Sequence, residues 1–198
     1  MWVWYKNFII WKPKSEHLQK EKCFRVSHRE IWGARMLGMQ SPRNYAFIDS
    51  NNLHLGIQGE GWTLDYRKFR IYLREKYGAL RAYLFIGYIQ KNEGLYRFME
   101  DCGYILIFKP ASHDGERLKG NCDAELVLQA MIDLKHYHQA VLVTGDGDFA
   151  CLVRYLVKER KLKRLIVPDR NRHSFLLHPF RSHTTFLSTM RDRLAYKK

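Results

Sequence analysis

The sequence predicts an α/β domain built on a central, mainly parallel sheet with helices on both faces. Three observations lead there. From residue 45 onward, short β-rich runs alternate with segments of helical periodicity. The strand runs are almost continuously apolar, as strands buried on both faces are. Glycines stand where the first two helical segments should stop.

The elements follow in order. Tyr45 to Asp49 is a short apolar strand that ends in a carboxylate. Leu64 to Tyr77 carries Phe69, Tyr72 and Leu73 at helical spacing and stops before Gly78. Arg81 to Tyr88 is the second strand. Glu93 to Cys102 is a helix closed by Gly103, and Tyr104 to Phe108 is the third strand. After a loop from Lys109 to Asn121, Asp123 to Lys135 is helical, with Leu126, Ala130 and Leu134 on one face. Gln139 to Thr144 is the fourth strand, Phe149 to Glu159 a helix, and Arg164 to Val167 a fifth strand closed by Pro168. Beyond it, Ser174 to Phe180 predicts a short helix, Thr184 to Phe186 a short strand and Thr189 to Tyr196 a last helix.

Composition excludes several classes. Across 198 residues, 46% hydrophobic and 14% aromatic content is too high for a disordered chain. No apolar run approaches the roughly 20 residues of a membrane-spanning helix. The formal charge of +14 suggests a polyanionic partner and says nothing of the fold. That charge is uneven: residues 1–44 carry nine basic and three acidic groups, residues 45–150 twelve and fourteen, and residues 151–198 thirteen and three. Cys23, Cys102, Cys122 and Cys151 form no C-x-x-C pair and no dense framework, so a reducing cytoplasm is the expected compartment. Cys102 and Cys151, in apolar periodic segments, are expected to be buried. The opening MWVWYKNFIIW has no basic region before it and no small-residue cleavage site, and is a poor secretory signal.

Residues 1–43 stand outside the alternating pattern. They are expected to form a basic extension, partly disordered or helical, outside a domain that spans residues 44–198. A strand and helix packed on the domain is the other reading, and Met36 and Met39 are plausible alternative starts. A chain beginning at Met39 should then fold cooperatively and stay soluble; aggregation would contradict the extension.

Ligands of open parallel sheets bind at the carboxyl ends of the strands, where strand order reverses. Acids stand at those positions here. Asp49 closes the first strand, Asp146 and Asp148 follow the fourth in Thr144-Gly-Asp-Gly-Asp-Phe149, and Asp123 opens a helix after Lys119-Gly-Asn-Cys. If the first and fourth strands are neighbours, these carboxylates converge. Converging carboxylates repel unless a cation neutralises them, and hard oxygen donors select Mg²⁺ or Mn²⁺. Such an ion can activate water and stabilise charge on a phosphoryl group. Each acid also has a structural role open to it. Asp148 could cap a helix, Asp146 could hold the Gly-Asp-Gly turn, and Asp123 could serve a helix dipole. Asp49, after a buried strand, needs a partner in any case. Glu125 and Asp133 are expected to be ordinary helix residues, Glu125 the better placed for an outer role.

Phe47-Ile-Asp-Ser-Asn-Asn-Leu53, Lys119-Gly-Asn-Cys-Asp123 and Val143-Thr-Gly-Asp-Gly-Asp-Phe149 resemble, in order, the three motifs of the NYN domain family. That family belongs to the PIN-like nucleases and includes the LabA-like (DUF88) bacterial proteins. The resemblance runs from about Tyr45 to Tyr196. It implies a three-layer α/β/α sandwich, a divalent-metal site of acids and RNA as the usual substrate class. By position, Asp49, Asp123, Asp146 and Asp148 would be the metal-binding and catalytic acids. Asn52 would be the supporting amide, with Asn51 beside it and Thr144 where serine is commoner.

Basic residues complete the expectation. Arg117 and Lys119 precede Asp123. Arg154, Lys158, Arg160, Lys161, Lys163 and Arg164 follow the last acidic motif, and Arg170, Arg172 and Arg181 follow the fifth strand. Among them Lys119, Arg117, Arg154, Lys158, Arg170 and Arg172 are the candidate RNA contacts. His173, Phe175 and His178 could stack on unpaired bases. Lys158 to Arg164 could equally be a solvated helix end. The expected function is a metal-dependent ribonuclease with Mg²⁺ or Mn²⁺, acting on single-stranded or structured RNA and having no membrane partner; a homodimer is left open. A non-catalytic RNA-binding module is the alternative. A haloacid-dehalogenase-type phosphatase is disfavoured because D-S-N-N stands where D-x-D is required, and no Walker A loop is present.

Overall fold

The computed structural model describes residues 2–5, 8–11, 43–109 and 122–197. The chain divides into two compact units, Met1–Met39 and Gln40–Lys198. In the first, β1 (Trp2–Tyr5) and β2 (Phe8–Trp11) pair antiparallel, with Trp2 opposite Trp11. The helical or disordered expectation for the remainder of that unit lies outside the described residues.

The second unit holds a six-stranded sheet made of β3 (Asn44–Asp49), β4 (Ala79–Gly87), β5 (Ile105–Lys109), β6 (Ala140–Val143), β7 (Leu162–Val167) and β8 (Thr184–Phe186). Their order across the sheet is β5-β4-β3-β6-β7-β8, and every pairing is parallel. The helices are α1 (Ser50–Gly59), α2 (Tyr66–Tyr77), α3 (Glu93–Asp101), α4 (Asp123–Ile132), α5 (Ala150–Lys158) and α6 (Arg191–Leu194). Short 3-10 turns extend α4 through Lys135, precede α5 and fill Phe175–His183.

Alternation along the strands builds two cores. Tyr45 and Phe47 of β3, with Leu142 of β6 and Leu165 of β7, pack under Leu126 of α4 and Leu152, Val153 and Leu156 of α5. Ala46, Ile48, Val141, Val143 and Ile166 face the other way, under Leu53 and Ile57 of α1 and Phe69 and Leu73 of α2. A sheet clad on both faces makes three layers, as expected. Asn44 ties the start of β3 to both sides: its Nδ2 donates to Tyr77 O at 2.6 Å, and its Oδ1 accepts from Gln139 N–H at 3.0 Å.

The strand order places the reversal at β3. The chain runs β3, β4, β5 toward one edge, then returns to the far side of β3 with β6. The carboxyl ends of β3 and β6 therefore open the crevice in which ligands of such sheets bind. No glycine-rich phosphate loop follows β3; Ser50-Asn51-Asn52 does.

One element is missing from the sequence expectation. Residues 50–59 form α1 although they include two asparagines and two glycines. Those residue choices cost about 3–4 kcal/mol against alanine. Full burial of Leu53 and near-full burial of Ile57 return about 3–6 kcal/mol, and the Asp49 cap adds about 1. Gly56 is required where it stands, since a Cβ there would lie 2.6 Å from Pro168 Cβ. Gly56→Ala, which helix propensity alone would favour, should instead destabilise by about 1–3 kcal/mol through overpacking. A raised melting temperature would contradict this packing.

Other boundaries move by a residue or two. β7 begins at Leu162, buried opposite Ala140. The expected last helix is a 3-10 turn, Leu187–Met190, followed by α6. Asp133 is no ordinary helix residue: it is buried and accepts from Tyr83 Oη at 2.8 Å and Gln129 Nε2 at 2.9 Å. Cys151 is exposed rather than buried, Cys102 is half-buried, and Cys122 is the buried thiol among the described free cysteines. No helix among the described residues is long and apolar enough to cross a membrane.

Candidate metal centre and nucleic-acid cleft

Asp49 is both the last residue of β3 and the N-cap of α1. One of its oxygens accepts from Asn52 N–H at 3.0 Å and the other from Thr144 Oγ1 at 3.3 Å. Thr144 Oγ1 accepts in turn from Asp146 N–H at 3.1 Å. Asn52 Oδ1 accepts from Gly145 N–H at 2.7 Å. The start of α1 and the loop after β6 are thus laced together at the reversal point. Asn52 Oδ1 and Thr144 Oγ1 each bridge Asp49's turn and the loop that carries Asp146, while Asn51 is exposed on the wall of the cleft.

Asp146 caps the turn Gly147–Phe149 by accepting from Asp148 N–H at 3.1 Å. The turn role and the cluster role therefore coincide in one residue. Asp123, first residue of α4, completes the group: one carboxylate oxygen each from Asp123, Asp146 and Asp148 lie within 4.8 Å of one another. Asp148 is the exposed member. Asp49 stands beside this trio. Burial raises its carboxyl above the ordinary value of 3.8, and the negative charges of Asp123 and Asp146 raise it further against the lowering hydrogen bonds from Asn52 and Thr144.

These donors fit a hard divalent cation. Octahedral Mg²⁺ at about 2.1 Å places opposite oxygens about 4.2 Å apart, so a small side-chain movement closes the group. Cys122, next to Asp123, lies outside the group, and burial, then Glu125, pushes its thiol up to about 11. The donor set is oxygen alone, which suits Mg²⁺ or Mn²⁺ better than a thiophilic metal.

Burial makes ionisation of Asp49 costly. With its folded pKa above the unfolded value, the stability it contributes is present in the protonated form and lost as pH rises through the folded pKa. In metal-free protein, Asp49→Asn should therefore raise the melting temperature at neutral pH, a gain that shrinks as pH falls toward 3.8. The asparagine carbonyl still caps α1. Asp49→Ala removes the same charge but also the cap, worth about 1 kcal/mol, so it should melt about 2–4 °C below Asp49→Asn. Equal melting of the two variants would contradict the cap, and an unchanged or lower melting temperature in Asp49→Asn at neutral pH would contradict the electrostatic picture.

Asp49, Asp123 and Asp146 line a cleft of about 1000 Å³. Arg172 is the expected RNA contact that lines it; Arg154 and Lys158 are exposed on α5 away from its lining. Arg170 lies outside it too, its guanidinium 5.7 Å over the Phe186 ring. Arg117 and Lys119 fall outside the described residues. Two cations of the basic run are structural. Lys161 Nζ donates to Leu134 O at 3.0 Å and Tyr137 O at 2.8 Å, and Arg164 Nη1 donates to Ser182 O at 3.1 Å. His173 packs against His178 and Phe186, whereas Phe175 is 73% exposed.

Sequence reasoning missed Lys109 and Asp169, which also line the cleft. Both stand at strand ends, the same signal that revealed Asp49. Buried Asp169 accepts from Asn171 N–H at 2.7 Å and Arg172 N–H at 3.2 Å, fixing the turn that carries Arg172.

A parallel α/β/α sandwich with carboxylates gathered at its reversal point agrees with the PIN-like fold that the motif resemblance implies. The NYN domain matches residues 44–176, and the chain belongs to the NYN domain family. It is similar to the low amplitude and bright protein LabA of Synechococcus elongatus, with 31% identity over 131 residues, 61% of this chain and 70% of LabA. A solved protein of unknown function from Vibrio parahaemolyticus shares the fold at a TM-score of 0.63 and 21% identity, covering 80% of this chain and all of that one.

Proposed function

We propose that this domain is a divalent-metal-dependent ribonuclease. The observation that carries the proposal is the meeting of Asp123, Asp146 and Asp148, with Asp49 beside them, in a cleft that also holds Lys109 and Arg172. Asp123, Asp146 and Asp148 would hold Mg²⁺ or Mn²⁺, and Asp49 would complete or orient the site. Bound there, the ion supplies activation of water and stabilisation of charge on the phosphoryl group.

The chain's own groups supply the rest. Asn52 and Thr144 tether Asp49 to the Asp146 loop, which limits how far this side of the site must reorganise. Lys109 and Arg172 draw the phosphate backbone toward an otherwise repulsive acidic floor. Arg154, Lys158 and Arg170, in the strongly basic segment 151–198, extend the attraction beyond the cleft, giving sequence-independent and salt-sensitive binding. The free cysteines suit a reducing cytoplasm. The test is cleavage of end-labelled RNA with Mn²⁺ or Mg²⁺ against EDTA. Cutting is expected only with the ion; salt-sensitive binding without cutting under any divalent ion would make the domain a binding module.

A further inference from the structure

The cleft is larger than the ion alone needs. A fully hydrated ion with six waters occupies about 180 Å³ at roughly 30 Å³ per water, against about 1000 Å³ in the cleft. The remaining space is the size of a small-molecule site, and apolar residues of α1 and α3 join the acids in its lining. Leu55 of α1 and Leu95 of α3 line it while 55% and 43% exposed. Ile89 and Tyr66 belong to the same lining, and His54 and Asn92 bring polar groups to it. Single exposed leucines need no explanation; two on one cleft, continuous with a carboxylate cluster, form an apolar patch with a ligand's polarity pattern.

We propose that the apolar part of this lining is a subsite for one unpaired nucleobase of an RNA strand, on a nucleotide flanking the phosphate held at the acids. The proposal rests on the ribonuclease reading and adds to it where the substrate's base goes. A base has two apolar faces and a polar edge, matching leucines on the walls and His54 and Asn92 beside them. Its phosphate is anionic, matching Lys109 and Arg172 in the same cleft. A base paired and stacked in a duplex has no face free for such a lining, so the nucleotide must be unpaired.

The test is Mn²⁺-dependent cleavage of a short oligoribonucleotide series, each member carrying one abasic residue. The abasic residue next to the cut should lower kcat/KM about tenfold, whereas abasic residues farther away should not. The double variant Leu55→Ser/Leu95→Ser, at exposed positions, should raise KM about tenfold, keep kcat within about twofold and keep the Mn²⁺-induced rise in melting temperature. It should also lose its sensitivity to the abasic position. Equal sensitivity at every position, or an unchanged KM in the double variant, overturns the subsite. If no oligonucleotide is cut, the nuclease reading fails instead. Fluorescence anisotropy on the same series then decides the subsite: one sensitive position that the double variant abolishes supports it, and uniform binding overturns it.

Discussion

Asp146→Asn is expected to lower metal-dependent RNA cleavage by at least about 100-fold with the fold intact. The residue serves two purposes that this substitution separates. Its side chain accepts from Asp148 N–H at 3.1 Å and so shapes the turn; an asparagine carbonyl does the same. Its negative charge belongs to the trio with Asp123 and Asp148, and asparagine removes that. The wild-type protein at 100 times its dissociation constant for Mn²⁺ should gain about 2.7 kcal/mol, or about 5–10 °C in melting temperature. The variant should lose most of this gain while matching the wild type in EDTA. Full activity in the variant would remove Asp146 from the site, and a collapsed melting temperature in EDTA would make it structural.

Gly147→Ala should be nearly as damaging to cleavage, by a different route. A Cβ at this position would collide with Ser174 Oγ and sit 3.0 Å from both Ser174 Cβ and Leu176 Cδ1. The segment on the other side is tied down, since Ser174 N–H donates to Gly145 O at 2.9 Å. Turning Ser174 about χ1 relieves the Oγ collision but leaves its Cβ at 3.0 Å, so part of the relief comes from the loop carrying Asp146 and Asp148 on either side of Gly147. A shift of about 1 Å in catalytic groups costs on the order of 100-fold in rate. The variant should weaken Mn²⁺ binding and cleavage together, with a stability loss of only about 1–3 kcal/mol. Adding Ser174→Gly should restore part of both. Unchanged metal affinity in Gly147→Ala would show that the loop tolerates the contact and does not position the acids.

How much of this could be read in the sequence depended on where each signal lay. Strands were legible because burial on both faces makes them continuously apolar, and the acids were legible because they interrupt that pattern at its end. Asp49 after Phe47-Ile48 is the plainest case. α1 was hidden because its stability comes from Leu53 and Ile57 packing under the sheet and from the Asp49 cap, not from its own residues. The structural roles of Lys161 and Arg164 were hidden for a related reason. Their partners, Leu134, Tyr137 and Ser182, are distant in sequence, so the run read as one basic surface. Asp169 was overlooked because Pro168 read as the strand's end, although the strand-end rule applies to the next residue as well. Tyr83 and Asp133, 50 residues apart, meet only across the packed core.

The most direct measurement of the central claim is anomalous diffraction from crystals of the full chain soaked in Mn²⁺. One ion or two should appear in contact with the carboxylates of Asp123, Asp146 and Asp148, near Asp49, and Asp146→Asn crystals should lose the density. Absence of Mn²⁺ at these residues from a protein that still cuts RNA with the ion present would contradict the account.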